Sequence, residues 1–286
     1  MCLCFRGDII SIRKKLIIFA IIIFAVLILI NIVLNNRLTV RYYELESNKI
    51  NDYVRIAFVA DLHSCYYGED QIELLSCIDE QKPDLILFGG DIVDDVLPFE
   101  NAAAALKSSA EKYPCYYVSG NHEYWSGKIG TIKQMISRYG IIILEGQSET
   151  VSINEQLVNV CGVDDAEIGE RNFMQQIVKA EDQADPDLFT IFLAHRPEYI
   201  DTYLQYDFDL ILSGHAHGGQ WRIPGIINGL LAPNQGFFPK YAGGLYELRD
   251  KTFIVSRGLA KESTRIPRIF NPPELVIVDL VPVNTN

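Results

Sequence analysis

At 286 residues the chain is long enough for one large domain or two small ones, and 49% hydrophobic residues suffice for a full core. Its net charge of −12, with no long run of basic residues, excludes nucleic acid as an expected partner, because binding a phosphate backbone requires clustered positive charge. The six cysteines have no CxxC spacing, so no zinc-finger site is expected.

The N-terminal segment predicts a transmembrane anchor. Residues 16–34 are apolar except for Asn31. A helix of this length spans roughly 28 Å at about 1.5 Å per residue, close to the thickness of the hydrocarbon layer of a bilayer. No small-x-small cleavage motif follows, which favours an uncleaved anchor over a secretory signal peptide.

The distribution of basic residues predicts the orientation of this anchor. Four basic residues precede it: Arg6, Arg13, Lys14 and Lys15. Basic residues are sparser after it, and the positive side of a membrane helix usually stays in the cytoplasm. We therefore expect a single-pass protein of the cell membrane, with residues 1–15 cytoplasmic and residues 38–286 forming an extracytoplasmic domain.

Beyond the anchor, apolar runs rich in β-branched residues alternate with helical stretches. The predicted strands are 39–45, 54–60, 85–88, 115–118, 188–194 and 210–212. The predicted helices are 72–81, 100–113 and 128–139. This alternation predicts an α/β domain, in which ligands bind at the carboxyl ends of the strands.

Short polar clusters follow five of these predicted strands, and together they contain every one of the five histidines. Two of the histidines, His215 and His217, are separated by one alanine and flanked by glycines, which suggests a tight turn presenting two imidazoles to one target. The candidate metal ligands in these clusters are Asp61, His63, Asp91, Asn121, His195, His215 and His217.

These residue types predict a two-metal site. Imidazole and carboxylate groups suit Mn, Fe or Zn. A single ion takes about three or four protein ligands, so seven candidates are too many for one ion. Two divalent ions sharing a carboxylate would use them all, and such sites are typical of phosphate-ester hydrolases.

Five motifs occur in a fixed order along the chain. They are Asp-x-His at 61–63, Gly-Asp-x-x-Asp at 90–94, Gly-Asn-His-Glu at 120–123, a lone His195 and Gly-His-x-His at 214–217. The ordered set resembles the calcineurin-like metallophosphoesterase superfamily.

Further stretches resemble one bacterial branch of that superfamily, which includes membrane-associated or exported phosphodiesterases similar to UDP-diacylglucosamine hydrolases. These stretches are 218–220, 223–225, 256–259 and 271–275. The resemblance covers residues 38–280 and implies a four-layer α/β/β/α sandwich of two mixed sheets. The second sheet is expected to contain strands near 151–163, 246–248, 252–255 and 275–280.

The resemblance also implies a role for each candidate. It assigns Asp61, His63 and His217 to one metal ion. It assigns Asn121, His195 and His215 to the other. Asp91 would bridge the two ions. A bridging hydroxide would attack phosphorus in line, and His122 would protonate the leaving group. Glu123, which stands where many members carry Asp, would orient His122.

The leading hypothesis is a membrane-anchored, metal-dependent phosphoric ester hydrolase, a phosphodiesterase rather than a monoesterase. Two substrate classes remain open: a lipid-linked or nucleotide-sugar pyrophosphate, which would place the enzyme in lipid metabolism, and a soluble or envelope-polymer phosphodiester. A metal-binding scaffold without catalysis is disfavoured, because all seven candidate ligands and His122 are present. A mononuclear zinc hydrolase is disfavoured too, because the chain has no HExxH-like motif.

Several other side chains have two interpretations each. Asp94 is expected to stabilise a turn or support a ligand rather than bind metal itself. Arg196 and Arg257 are candidates for binding phosphate or for packing. Four aromatic residues are candidates for a lipid-accepting groove, although aromatic residues more often belong to a core: Trp125, Phe237, Phe238 and Tyr241.

Overall fold

The structure is a computed structural model that describes residues 4–261 and 267–283, with side chains from residue 14 onward. Residues 1–3 of the predicted cytoplasmic segment, and the side chains of Arg6 and Arg13, lie outside the described residues. So do residues 262–266 and 284–286 of the predicted domain.

The described residues form seven α-helices and fourteen strands. The helices are α1 (Cys4–Val33), α2 (Ile72–Gln81), α3 (Glu100–Ala110), α4 (Asn121–Trp125), α5 (Ile129–Arg138), α6 (Glu170–Asp182) and α7 (Ile200–Tyr203). The strands are β1 (Thr39–Ser47), β2 (Val54–Val59), β3 (Leu85–Gly89), β4 (Cys115–Val118), β5 (Ile142–Ile143), β6 (Gln147–Ile153), β7 (Gln156–Gly162), β8 (Phe189–Leu193), β9 (Leu210–Ser213), β10 (Leu231–Ala232), β11 (Gly236–Phe237), β12 (Gly244–Leu248), β13 (Lys251–Val255) and β14 (Glu274–Pro282).

Helix α1 stands apart from the rest of the fold. Its segment Lys14–Val33 has 20 residues and a mean hydropathy of 3.4, and none of it is buried inside the protein. By length and composition the segment is able to cross a membrane. Its end is attached to the domain through a hydrogen bond of 2.9 Å from the backbone N–H of Phe270 to the carbonyl of Val33.

Two six-stranded mixed sheets form the domain. The first has the order β1-β14-β2-β3-β4-β5, and β14 runs antiparallel to β2. The second has the order β12-β13-β9-β8-β7-β6, and its four central strands are parallel. Strands β10 and β11 form a small separate hairpin.

Three hydrophobic clusters define the layers. One lies between the two sheets and includes Phe58, Leu87 and Ile191. A second packs α2, α3 and α5 against the outer face of the first sheet, and a third packs α6 and α7 against the outer face of the second. Each fully buried aliphatic or Phe side chain stabilises the fold by about 1.5–3 kcal/mol. The predicted four-layer α/β/β/α sandwich is confirmed.

The placement of one predicted strand was wrong. Residues 275–280 were expected in the second sheet, but β14 lies in the first, between β1 and β2. Its alternate side chains fill two different layers: Val276 and Val278 face the second sheet, whereas Leu275 and Ile277 face the helices. A strand buried on both faces has no polar side to reveal its sheet from sequence.

Candidate metal centre

The carboxyl ends of the parallel strands in both sheets meet at one cleft. After β2, the backbone N–H of Asp61 donates to the carbonyl of Gly90 at 3.0 Å, and that of His63 donates to the carbonyl of Asp91 at 2.9 Å. The second sheet joins this cleft where the backbone N–H of His215 donates to Oδ1 of Asp61 at 2.8 Å. These bonds tie three loops that are distant in sequence into one rigid edge.

Five of the seven candidate ligands have left-handed backbone conformations. Their φ angles are 51° for Asp61, 48° for His63, 51° for Asp91, 66° for His215 and 48° for His217. Non-glycine residues in this region cost on the order of 1 kcal/mol or more each and collect at functional sites. Glycine is the residue ordinarily found at such φ angles, so these aspartates and histidines give no sign of the strain in the sequence.

The first group of ligands comes from both sheets. Asp61, His63 and His217 each offer one ligand atom, and these atoms lie within 4.8 Å of one another. Nε2 of His217 lies 3.9 Å from Oδ1 of Asp61. The ring centroids of His63 and His217 are 5.0 Å apart. All three residues are buried.

The second group comprises Asp91, His195 and His215, again with ligand atoms within 4.8 Å of one another. Asp91 joins the two groups, because its Oδ2 lies 3.1 Å from Nε2 of His195 and 3.6 Å from Nε2 of His63. Asn121, the first residue of α4, is also buried.

In three of the imidazoles, a hydrogen bond occupies one ring nitrogen and leaves the other available to a metal ion. Nδ1 of His195 donates to the carbonyl of Gly89 at 2.8 Å, and Nε2 of His215 donates to Oδ1 of Asn234 at 2.9 Å. Nδ1 of His63 lies 3.0 Å from Oδ2 of Asp94. Such outer partners set the tautomer and orientation of metal-binding histidines.

Several of the buried atoms without hydrogen-bond partners are of the type that binds metal. Among the described residues they include Asp61 Oδ2, His63 Nε2, Asn121 Oδ1, His195 Nε2 and His217 Nδ1. A buried polar group without a partner costs about 1–3 kcal/mol, so a cation bound among these five atoms would offset a large unfavourable term. Imidazole, carboxylate and amide donors fit divalent Mn, Fe or Zn.

The pKa shifts follow from burial and from the shared carboxylate. Burial, with His195 second, lowers the pKa of His215 to about 3, and burial and His63 lower that of His217 well below its ordinary value. Both are therefore neutral imidazoles, as metal ligands must be. Burial also acts to lower the pKa of His195, but Asp91 outweighs it and raises the value to about 10.

His122 lies at the rim of the cleft, with its side chain 23% exposed. Its backbone N–H donates to Oδ1 of Asp91 at 2.8 Å, and its ring lies edge-on to that of His63 with centroids 4.3 Å apart. Nδ1 of the ring is 2.6 Å from Oδ1 of Asp95, a residue that the sequence analysis missed. The ring of Trp125 lies beside it, with centroids 4.9 Å apart.

Glu123 contacts the backbone of the loops around the cleft, and its expected role of orienting His122 stays a prediction. Its carboxylate accepts backbone N–H groups from four residues, at 2.7 to 3.0 Å: Asp91, Ile92, Val93 and Gly120. It therefore holds the loops that carry Asp91 and Asn121, and the partner of the His122 ring is Asp95. Burial and then the charge of Asp91 raise the pKa of Glu123 to about 7.

The remaining candidates take structural positions. Asp94 supports His63 with Oδ2 and accepts two backbone N–H groups with Oδ1, as expected of a turn residue. Arg196 is buried in ion pairs with Asp165 and Glu167. Arg257 pairs with Glu274. Tyr241 is buried in the outer core, whereas Phe237 and Phe238 are exposed.

The comparisons with known proteins agree with this geometry. The sequence profile described as "Calcineurin-like phosphoesterase" matches residues 54–219, which is more than half of the chain. The chain belongs to the calcineurin-like phosphoesterase family. It is by class a metal-dependent phosphoric ester hydrolase, as the motifs predicted.

Three bacterial relatives match most of the chain. The metallophosphoesterase YkuE of Bacillus subtilis is 28% identical over 82% of this chain and 81% of its own length. A metallophosphoesterase of Aquifex aeolicus is 30% identical over 85% and 92%. The phosphodiesterase YaeI of Escherichia coli is 29% identical over 79% and 82%. The narrower likeness to UDP-diacylglucosamine hydrolases stays a prediction.

Proposed function

We propose that this protein is a membrane-anchored phosphodiesterase with a two-ion centre. One observation carries the two-ion centre: Oδ2 of Asp91 lies between the two ligand groups, 3.6 Å from Nε2 of His63 and 3.1 Å from Nε2 of His195. A single carboxylate that faces two imidazole Nε2 atoms without other partners is suited to two cations.

The proposed ligand sets keep the roles implied by the motifs. Asp61, His63 and His217 would hold one ion. Asn121, His195 and His215 would hold the other, and Asp91 would be shared. When bound, the divalent ions supply positive charge for an anionic phosphate and lower the pKa of water at the site.

The chain's own residues would supply the proton for the leaving group. His122 lies at the rim of the cleft, and its Nδ1 proton is held by Asp95 at 2.6 Å. That contact leaves Nε2 as the nitrogen that can exchange a proton with substrate. General acid catalysis of this kind contributes about 10²–10⁴-fold to the rate.

The diester preference is supported by similarity to YaeI, which is named a phosphodiesterase. The membrane location is supported by the apolar segment Lys14–Val33 of α1. The excess of basic residues before this segment supports an extracytoplasmic domain. Alkaline phosphatase and green fluorescent protein fused to the C-terminus would test the orientation, since only the first is active outside the cytoplasm.

A lipid-borne phosphate is the favoured substrate. Strand β1 begins just after α1. Its first residues lie at the same edge of the first sheet as Asp61 and Asp91, because β1 is parallel to β14 and β14 is antiparallel to β2. The loops that follow His217 at this end expose large apolar side chains: Trp221, Ile223, Ile226, Phe237 and Phe238. An apolar surface beside the centre suits a substrate with acyl chains. A soluble or envelope-polymer diester is the alternative.

The enzymatic test uses the full chain in neutral detergent. The protein is stripped with a chelator and then assayed with bis-(p-nitrophenyl) phosphate and p-nitrophenyl phosphate, with and without Mn²⁺. The Asp91→Asn and His122→Ala variants are compared with Asp187→Asn, which changes an exposed aspartate. We expect metal-dependent cleavage of the diester that Asp91→Asn abolishes and Asp187→Asn retains. If the protein is folded but shows no turnover with any divalent metal ion, the proposed phosphodiesterase activity is wrong and a metal-binding scaffold is favoured.

A second comparison tests the substrate. A lipid-linked diester in mixed micelles should be cleaved with a higher kcat/KM than a lipid-free diester of the same leaving group. Faster cleavage of the lipid-free diester would point to the soluble or envelope-polymer substrate.

A further inference from the structure

A second cavity, of about 320 Å³, lies between the edge strands of the two sheets. It is lined by Arg41 and Tyr43 of β1 on one side and by Leu245 and Tyr246 of β12 on the other. None of the seven predicted metal ligands lines it. The cavity is therefore a separate feature from the metal centre.

The charges that line this cavity are mostly positive. Three arginines, Arg41, Arg222 and Arg257, face a single carboxylate, Glu274. That carboxylate is already engaged, because Oε2 of Glu274 accepts Nε of Arg257 at 2.5 Å. Among the described residues, neither Arg41 nor Arg222 forms an ion pair. A chain with a net charge of −12 thus has a local excess of positive charge here.

Arg222 shows that the excess is not satisfied internally. Its Nη2 donates to Oδ1 of Asn228, which holds the guanidinium in place, whereas Nη1 is buried and has no hydrogen-bond partner. Burial and the neighbouring Arg257 lower the pKa of Arg222. A fixed guanidinium with a free buried N–H group is well suited to bind an anion, most strongly a phosphate or carboxylate.

Neutral hydrogen-bond donors complete the cavity wall. Burial and then Glu274 raise the pKa of Tyr43 to about 12, so its hydroxyl stays protonated at neutral pH. The amide of Asn228 donates to the hydroxyl of Tyr246 at 2.9 Å, which fixes both groups at the edge of the cavity. This combination of arginine and hydroxyl groups resembles the way proteins surround a phosphate.

The cavity lies next to the point where α1 joins the domain. The backbone N–H of Arg222 donates to the carbonyl of Ile269 at 2.9 Å, and that of the next residue, Phe270, donates to the carbonyl of Val33 at 2.9 Å. Arg41 is the third residue of β1, which begins at Thr39, shortly after the end of α1. A group bound here would lie at the level where a membrane-spanning helix leaves the bilayer.

We propose that this cavity, which we call the arginine pocket, is a phosphate-binding site that accepts the headgroup of an anionic phospholipid beside α1. The phosphate chemistry follows from Arg41, Arg222 and Tyr43 alone. The lipid source rests in addition on the proposed membrane anchor, and free phosphate is the other source of the same group.

The test measures binding to the full chain in neutral detergent by calorimetry. Three probes are titrated: dioctanoyl phosphatidylglycerol, inorganic phosphate and dioctanoylglycerol, which has no phosphate. Each titration is repeated after treatment with a chelator, since chelation removes phosphate binding to ions at the metal centre. Binding that persists after chelation does not use ions at the metal centre, so the result does not depend on catalysis.

The variants are Arg41→Gln and Arg222→Gln, with Arg138→Gln as the matched control because Arg138 is exposed at the end of α5. We expect each pocket variant to weaken binding of the phosphate-bearing probes about tenfold or more, because each removes a charge-assisted contact. The control should bind as the unmodified protein does, and dioctanoylglycerol should not bind.

The probes also distinguish the two sources. Tighter binding of dioctanoyl phosphatidylglycerol than of inorganic phosphate would identify a lipid headgroup, and equal affinities would identify free phosphate. Unchanged affinity in both pocket variants would overturn the arginine pocket as a phosphate site. So would the absence of phosphate binding to a protein whose thermal unfolding shows that it is folded.

Discussion

Nδ1 of His122 lies 2.6 Å from Oδ1 of Asp95, at the rim of the metal-binding cleft. A carboxylate at this distance accepts the Nδ1 proton and fixes the orientation of the ring. We therefore propose Asp95 as a positioning residue for His122, the role that the motif resemblance implied for Glu123.

Replacing Asp95 with asparagine should lower kcat on bis-(p-nitrophenyl) phosphate by about tenfold or more, a smaller loss than the roughly 10²–10⁴-fold expected for His122→Ala. The reason is that asparagine no longer selects the tautomer with its proton on Nδ1. KM and the metal content should stay close to those of the unmodified protein, as steady-state kinetics and plasma mass spectrometry would show. An unchanged kcat would contradict the assigned role of Asp95.

Glu123→Gln should damage the metal site through the backbone. The carboxylate accepts four N–H groups, and a glutamine would direct its own NH₂ donors at some of them. We expect a loss of stability on the order of 3 kcal/mol, since buried donors lose their acceptor. Metal affinity should fall by about 10–100-fold, as is typical when the support of a ligand is removed.

The control for this variant is Glu149→Gln, which changes an exposed glutamate on β6. Thermal unfolding in detergent and metal titration of both variants would decide the role of Glu123. If Glu123→Gln lowered only kcat and left unfolding temperature and metal affinity unchanged, Glu123 would act on His122 after all.

Most of the first sheet and the clustering of the candidate ligands could be predicted from the sequence. Strand β4 and helix α2 have the predicted bounds, because short apolar runs and amphipathic stretches are local signals. The candidate ligands could be picked out because each closely follows a strand of one of the two sheets. Order along the chain thus carried the information on the site.

The supporting contacts could not be predicted, because they join residues that are distant in sequence. Asn234 supports His215 from a loop 19 residues away, and the carbonyl of Gly89 supports His195 across 106 residues. A backbone carbonyl is present in every residue, so the residue type does not reveal which carbonyl accepts the hydrogen bond. The position of β14 was missed for a related reason, since both of its faces are buried and its pairing depends on the whole sheet.

Gly90 tests how closely the loops approach the ligands. Its φ is 87°, and a Cβ atom there would lie 2.6 Å from Nδ1 of His195. Gly140 has a similar φ of 83°, but a Cβ atom added there would have no neighbouring atom within 4 Å. Both Gly→Ala variants therefore share the backbone strain of about 1 kcal/mol or more, and only Gly90→Ala also displaces a ligand.

We expect Gly90→Ala to abolish metal-dependent turnover and Gly140→Ala to keep it, with a modest fall in unfolding temperature for the second. Diester hydrolysis and metal content measured on both purified variants would check this. Equal activity of the two variants would contradict this prediction, because it would show that the loop carrying Asp91 can move without loss of the site.

Arg196 follows the candidate ligand His195 but is expected to act on stability alone. Its guanidinium is buried and forms three hydrogen bonds with Asp165, of which the shortest run from Nε to Oδ2 at 2.8 Å and from Nη2 to Oδ1 at 2.9 Å. Breaking such a buried pair by Arg196→Met should cost about 3–5 kcal/mol, because it leaves Asp165 charged and unpaired. Adding Asp165→Asn should restore a large part of the loss, since asparagine keeps the acceptor for the backbone N–H of Glu167. Thermal unfolding of the single and double variants, together with KM for the diester, would check both statements. A raised KM with unchanged stability in Arg196→Met would instead mean that this arginine binds the substrate phosphate.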